Sequence, residues 1–97
     1  VGLDLIEEKN LNDVIAYALD YPNVVLVEAQ ALVPDTAMLC NFSYGLYVGY
    51  ISGVFFDGFL RRNNRFLNDD EMSGFHTILF KRSPEIWLKI KVHLDRK

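Results

Sequence analysis

The feature that most constrains this chain is a proline-free stretch from Thr36 to about Arg62, dense in Leu, Val, Tyr and Phe and marked by Gly45, Gly49 and Gly53 at intervals of four. Four residues nearly match one helical turn, so in a helix these glycines share one narrow stripe, with Ala37 and Asn41 before them and Asp57 after. We expect one long helix, capped at Asp35 or Thr36. Each glycine inside a helix costs about 1 kcal/mol relative to alanine, so something should pack closely on the stripe, either within the domain or from a partner. Tyr, Val, Ile and Phe also favour strands, which keeps a β reading of Leu46 to Phe56 open. Residues 37–60 reach the length of a bilayer span, but Asn41, Ser43, Ser52 and Asp57 interrupt them and no lysine cluster flanks them. No membrane span is expected.

The segments on either side complete an α+β expectation. Leu11, Val14, Ile15, Ala18 and Leu19 recur at helical spacing, which predicts a helix capped by Asn10 or Asn12 and ended at Tyr21 by Pro22. Val24 to Val33 is rich in β-branched residues and too apolar for a fully exposed strand, so it reads as a buried or half-buried strand, with Pro34 stopping its ladder. Leu88, Ile90, Val92 and Leu94 alternate with Lys89, Lys91, His93 and Asp95, a period of two that predicts a half-buried strand. Residues 75–82 read as its partner, with Ser83, Pro84 and Glu85 in the turn between them, and residues 68–74 read as a polar connector. The fold class expected is therefore α+β: an N-terminal helix, a strand, a long glycine-marked helix, and a C-terminal antiparallel β-hairpin packed on the helices.

Ninety-seven residues, 51% of them hydrophobic, suit a single small domain over residues 1–97 and exclude disorder. A core of this size is marginal and the chain opens at Val1, so a fragment of a longer domain or a chain that needs a partner is also expected. Charge is unevenly spread: residues 1–60 hold one base, Lys9, against eight acids, whereas residues 61–97 hold nine bases against five acids. Asp69, Asp70 and Glu71 follow Arg61, Arg62 and Arg65 directly and weaken the field a polyanion needs, so nucleic acid is not expected as a partner. The two halves could instead pack against each other with complementary charge.

Little in the chain carries chemistry. His76 and His93 have no neighbouring ligand partners and Cys40 is the only cysteine, which leaves no set of three or four converging metal ligands. The acids at 69–71 read as a solvated turn or a helix cap. The string GLYVGYISG at 45–53 superficially matches the GIY-YIG nuclease signature, but no downstream arginine and glutamate fall in register, and that assignment is rejected. No catalytic residue, metal or cofactor is expected, and a lone cysteine points to a reducing, cytoplasmic setting.

Two motifs carry a family resemblance. Cys40-x-Phe42-x-x-Gly45-x-x-x-Gly49, following Val33-Pro34-Asp35, and Gly74-x-x-x-Ile78-x-Phe80 resemble the second half of the superfamily that joins small TRAPP tethering subunits to 4-vinyl-reductase-like sensor domains. The resemblance covers residues 24–82 and implies a strand, a long helix and a hairpin in a non-enzymatic interaction or sensor domain. Zinc-binding members use several cysteines and a glutamate, of which only Cys40 and Glu71 have counterparts here, so no metal is carried over.

The function expected first is a non-enzymatic protein-protein interaction or scaffold module, working with a protein partner or as a homo-oligomer. Its interface would consist of Gly45, Gly49 and Gly53 with Tyr44, Tyr47 and Tyr50, whose rings carry a polar tip suited to such surfaces; ordinary core and rim packing is the alternative for the tyrosines. A second expectation is a sensor domain holding an apolar ligand in a pocket lined by Phe42, Leu46, Phe55 and Phe59. A third is a small acidic inhibitor or immunity-type protein that docks its N-terminal carboxylates on a basic target.

Overall fold

A computed structural model describes residues 2–32 and 36–95. Four helices account for nearly all of them: α1 (Leu5–Asp20), α2 (Asn23–Leu32), α3 (Thr36–Asn63) and α4 (Asp69–Asp95). No strand occurs among the described residues, so the fold is an all-helical bundle and the α+β expectation is corrected. Val33, Pro34 and Asp35, expected as strand end, breaker and cap, lie outside the described residues.

Helix α3 is the spine. At about 1.5 Å per residue its 28 residues match the longest dimension of the molecule, 41 Å. Its core side is a row at four-residue intervals, Leu39, Ser43, Tyr47, Ile51, Phe55 and Phe59, all buried. A row spaced by four drifts around the helix by about 40° per step, so its two ends face different neighbours. Near its start Tyr44 meets Trp87, and further on Phe55 stacks on Phe75 at 5.6 Å. These pairs set α3 and α4 antiparallel, joined by the short connection through Asn64, whose positive φ of 56° reverses the chain.

Helix α1 lies antiparallel to α3 and alongside α4. The predicted helix is present, but it begins at Leu5: Asp4 is the cap, its carboxylate accepting the Glu7 N–H at 2.8 Å, while Asn10 and Asn12 sit inside the helix. Leu11, Ile15, Ala18 and Leu19 fill the core, as their spacing requires. Where the N-terminal segment of residues Gly2 and Leu3 crosses α4, only Gly74 allows the approach, because a Cβ there would stand 2.7 Å from the Leu3 backbone nitrogen.

Two expected strand regions are helices, for the same physical reason. In α2, Val25, Leu26 and Ala29 are buried against α3 while Val24, Val27 and Leu32 are exposed, so a segment apolar on more than one side reads like a strand. In α4, the alternating Leu88, Ile90, Val92 and Leu94 divide between two helix faces: Ile90 is buried and Leu94 half-buried, whereas Leu88 and Val92 are exposed. The hairpin is therefore replaced by one helix that continues through Ser83, Pro84 and Glu85. Phe75, Leu79, Ile86 and Ile90, at spacings of four, seven and four, form its core side. The polar connector at 68–74 is mostly its first turns. Asn68 and Glu71 form a reciprocal capping box, with Glu71 N–H donating to Asn68 Oδ1 at 2.8 Å and Asn68 N–H donating to Glu71 Oε1 at 3.0 Å.

Candidate functional site

The residues expected to form an interface are split by the structure. Gly45, Gly49 and Gly53 do share one stripe with Asn41 and Asp57, but α3 turns that stripe outward, opposite the buried row. Beyond the helix's own backbone, nothing among the described residues lies within 4 Å of a Cβ placed at any of the three, so the close packing expected inside the domain is not found there. The three tyrosines do not join them on one surface. Tyr47 is fully buried, Tyr44 is half-buried against α4, and Tyr50 is half-buried in a shallow groove with Val24, Val25, Glu28, Leu46 and Gly49 between α2 and α3.

The residues expected to line an apolar pocket are likewise dispersed. Phe55 and Phe59 are buried and pack on each other at 6.1 Å within the aromatic part of the core. Leu46 belongs to the α2–α3 groove, and Phe42 is half-buried on α3.

Each carboxylate with perturbed titration is held by an arginine. Glu7, buried on α1, receives Nε and Nη2 of Arg62, Nδ2 of Asn63 and Nδ2 of Asn10. Those hydrogen bonds, led by Arg62, hold its pKa below the ordinary 4.5 despite burial, and the same pairing raises Arg62. Arg62 in turn lies over Gly58, where a Cβ would fall 2.6 Å from Nη1. Near the start of α4, Arg65 binds Glu71 through two hydrogen bonds at 2.7 and 2.9 Å, which with the backbone of Asn68 lower the Glu71 pKa to about 2. Arg82 pairs with Glu85 and also donates to the side chain of Asn12, tying α4 to α1. Complementary charge between the two halves of the sequence is thus realised directly in the Glu7–Arg62 pair.

At the α3–α4 contact, Tyr44 lies flat on Trp87, ring centroids 4.3 Å apart and planes within 3°, and its hydroxyl is 2.7 Å from Ser83 Oγ. One and three residues from it, Ser43 and Tyr47 are buried with hydroxyls that find no hydrogen-bond partner among the described residues, and burial pushes the Tyr47 pKa up to about 12.

The surface holds what the sequence reading missed. Phe80, Pro84, Leu88 and Val92 recur every four residues on the side of α4 turned away from the core, with Phe80 81% and Leu88 62% exposed. The lower end of this row enters a cleft of about 400 Å³ between α1 and α4, lined by Leu19, Asp20, Arg82, Glu85, Leu88, Lys89 and Val92. Lys81, Lys89 and Lys91 flank the row and form no ion pair among the described residues. The signal was in the sequence: a helix carrying Phe75, Leu79, Ile86 and Ile90 on one side leaves Phe80, Leu88 and Val92 with no place in the core.

Among the described residues no group of three or more His, Cys, Asp or Glu could hold a metal ion, and no helix is long and apolar enough to cross a membrane. Comparison with family models, with curated proteins and with solved structures finds no match to this chain.

Proposed function

We propose that this chain is a non-enzymatic, all-helical protein-interaction module that docks a partner on the outer face of α4. One observation carries the reading: α4 has two apolar sides, and its own fold uses one. Single exposed apolar residues are ordinary on a protein surface, but Phe80, Pro84, Leu88 and Val92 are contiguous over three helical turns. The exposed pair Leu5 and Ile6 on α1 does not extend this way, since Lys9 and Asp13 follow on the same side.

The titratable groups favour a structural role over catalysis. Glu7, Glu71 and Glu85 all have lowered pKa values because an arginine holds each of them ionised, the reverse of what general-acid chemistry needs. A reducing, cytoplasmic setting belongs to this reading, since Cys40 has no second cysteine to pair with.

The test is site-specific photo-cross-linking in the cells that make the chain. A photoreactive residue at Phe80 should yield a discrete protein adduct, and one at Gly53 on the opposite side of the bundle's spine should not. Adducts from Gly53 alone would move the interface to the glycine stripe; adducts from neither position would end the proposal.

A further inference from the structure

The chemistry of the α4 face specifies its partner more closely. We infer that the face receives an acidic amphipathic helix, lying along α4 from Phe80 to Val92; this rests on the docking role proposed above. Three features on the surface select that occupant.

The first is shape. Residues at intervals of four form the ridge that one helix offers to the groove of another, and from Phe80 to Val92 the ridge runs about 18 Å, at 1.5 Å per residue. A helical partner matches such a ridge along its length, with apolar side chains on both sides of Phe80 and Leu88.

The second is the cleft at the end of the ridge. Leu19 of α1 stands opposite Leu88 and Val92 of α4, so an apolar side chain of the partner would be enclosed by two helices there. Enclosed anchors of this kind dominate helix-in-groove binding.

The third is charge. Arg82 and Glu85 satisfy each other, and among the described residues Lys81, Lys89 and Lys91 form no ion pair along the ridge; Asp20 is the facing carboxylate in the cleft, and Glu8 and Asp70 share a shallow pocket with Lys81. The basic stretch is bounded: toward the start of α4 the surface turns acidic at Asp69 and Asp70. Carboxylates beside the partner's apolar positions would complement the lysines and set its register. A second copy fits less well, because two such faces brought together would oppose lysine to lysine. An anionic membrane also fits less well, because the broad apolar side that an interfacial helix immerses is, in α4, already spent on the core.

The probe is a labelled helical peptide of about 20 residues with leucines at helical spacing between glutamates, read by fluorescence anisotropy against the whole chain; its twin carries lysine for every glutamate. The acidic peptide should bind, and affinity should fall at least about tenfold in Lys81→Glu/Lys91→Glu and in Phe80→Asp, all at exposed positions that leave the helical signal unchanged. Binding should also weaken as salt rises. Equal binding of both peptides, abolished by Phe80→Asp, would overturn the acidic partner and leave the docking face standing. Acidic-peptide binding untouched by Phe80→Asp would overturn the face itself. Binding of neither peptide overturns the inference, and two further measurements then name the occupant: capture by phosphatidylserine vesicles points to a membrane surface, and a concentration-dependent mass that Phe80→Asp abolishes points to a second copy.

Discussion

Glu7 of α1 and Arg62 of α3, 55 residues apart in sequence, meet at the end of the bundle: Nε of Arg62 donates to Oε2 at 3.0 Å and Nη2 to Oε1 at 2.6 Å. Asn63 adds a third donor at 2.9 Å, so the carboxylate can be buried while charged. This pair fastens the first turns of α1 to the last turn of α3, and Arg62 is held in place above Gly58. Glu7→Gln keeps the shape and removes the charge. It should lower stability in urea by about 1–2 kcal/mol, less than a fully enclosed pair because the Arg62 side chain is 38% exposed.

The same pair predicts an acid limit. Because the folded-state pKa of Glu7 is depressed below its ordinary 4.5, its contribution is complete above that pH and is lost as pH falls through the lower folded value. Glu71, held near 2 by Arg65, acts in the same direction. Urea midpoints measured from pH 6 down to pH 2 should therefore fall, and the fall should be shallower in Glu7→Gln. An equally steep profile in the variant would remove Glu7 from the acid response.

Glycines at four positions should respond in opposite ways. Gly74→Ala drives a Cβ to 2.7 Å from the Leu3 nitrogen and 2.9 Å from the Gly2 Cα, and backbone atoms cannot turn aside. A loss of about 1–3 kcal/mol is expected. Gly45→Ala, Gly49→Ala and Gly53→Ala meet nothing within 4 Å, and each should raise the thermal midpoint, by up to about 1 kcal/mol of helix propensity. Destabilisation by those three would mean that the stripe is covered in solution.

Buried hydroxyls give a further contrast. Tyr44→Phe removes the contact with Ser83 Oγ and should cost about 0.5–1.5 kcal/mol in urea denaturation. Tyr47→Phe removes a buried hydroxyl without a partner and should be neutral or stabilising. In an ultraviolet alkaline titration one tyrosine should ionise last, near pH 12, and that step should vanish in Tyr47→Phe.

The parts of the fold legible in the sequence were those where helical spacing coincided with one-sided burial. Leu11, Ile15, Ala18 and Leu19 announced α1, and the proline-free stretch to Arg62 announced α3 almost to its ends. Helices α2 and α4 were misread where apolar residues appear on more than one side: α2 shows no clear helical period, and in α4 the outer Leu88 and Val92 interleave with Ile90 and Leu94 on the core side to give a false period of two. In α4 the error was informative, since Leu88 and Val92 completed the false alternation and are the very residues the fold leaves outside. Pro84 reinforced it by marking a turn, although α4 passes through it with the proline on the exposed side. The glycine stripe was located correctly, but its orientation was not readable: the row at 39, 43, 47, 51, 55 and 59 is larger and more apolar, and it took the core. The strand and hairpin implied by the resemblance to the TRAPP and 4-vinyl-reductase-like superfamily do not occur among the described residues.

The docking surface requires α4 to be one helix, since only helical spacing puts Phe80, Pro84, Leu88 and Val92 on the side away from the buried Ile86 and Ile90, whereas a strand would put Leu88, Ile90, Val92 and Leu94 on one face. Backbone NMR chemical shifts across residues 69–95 test this directly. We predict helical Cα and carbonyl shifts without interruption from Asp69 to the last turn, including Ser83 and Glu85 on either side of Pro84. Extended shifts over residues 75–82 and 88–94, broken at 83–85, would restore the hairpin and contradict both the fold and the surface built on it.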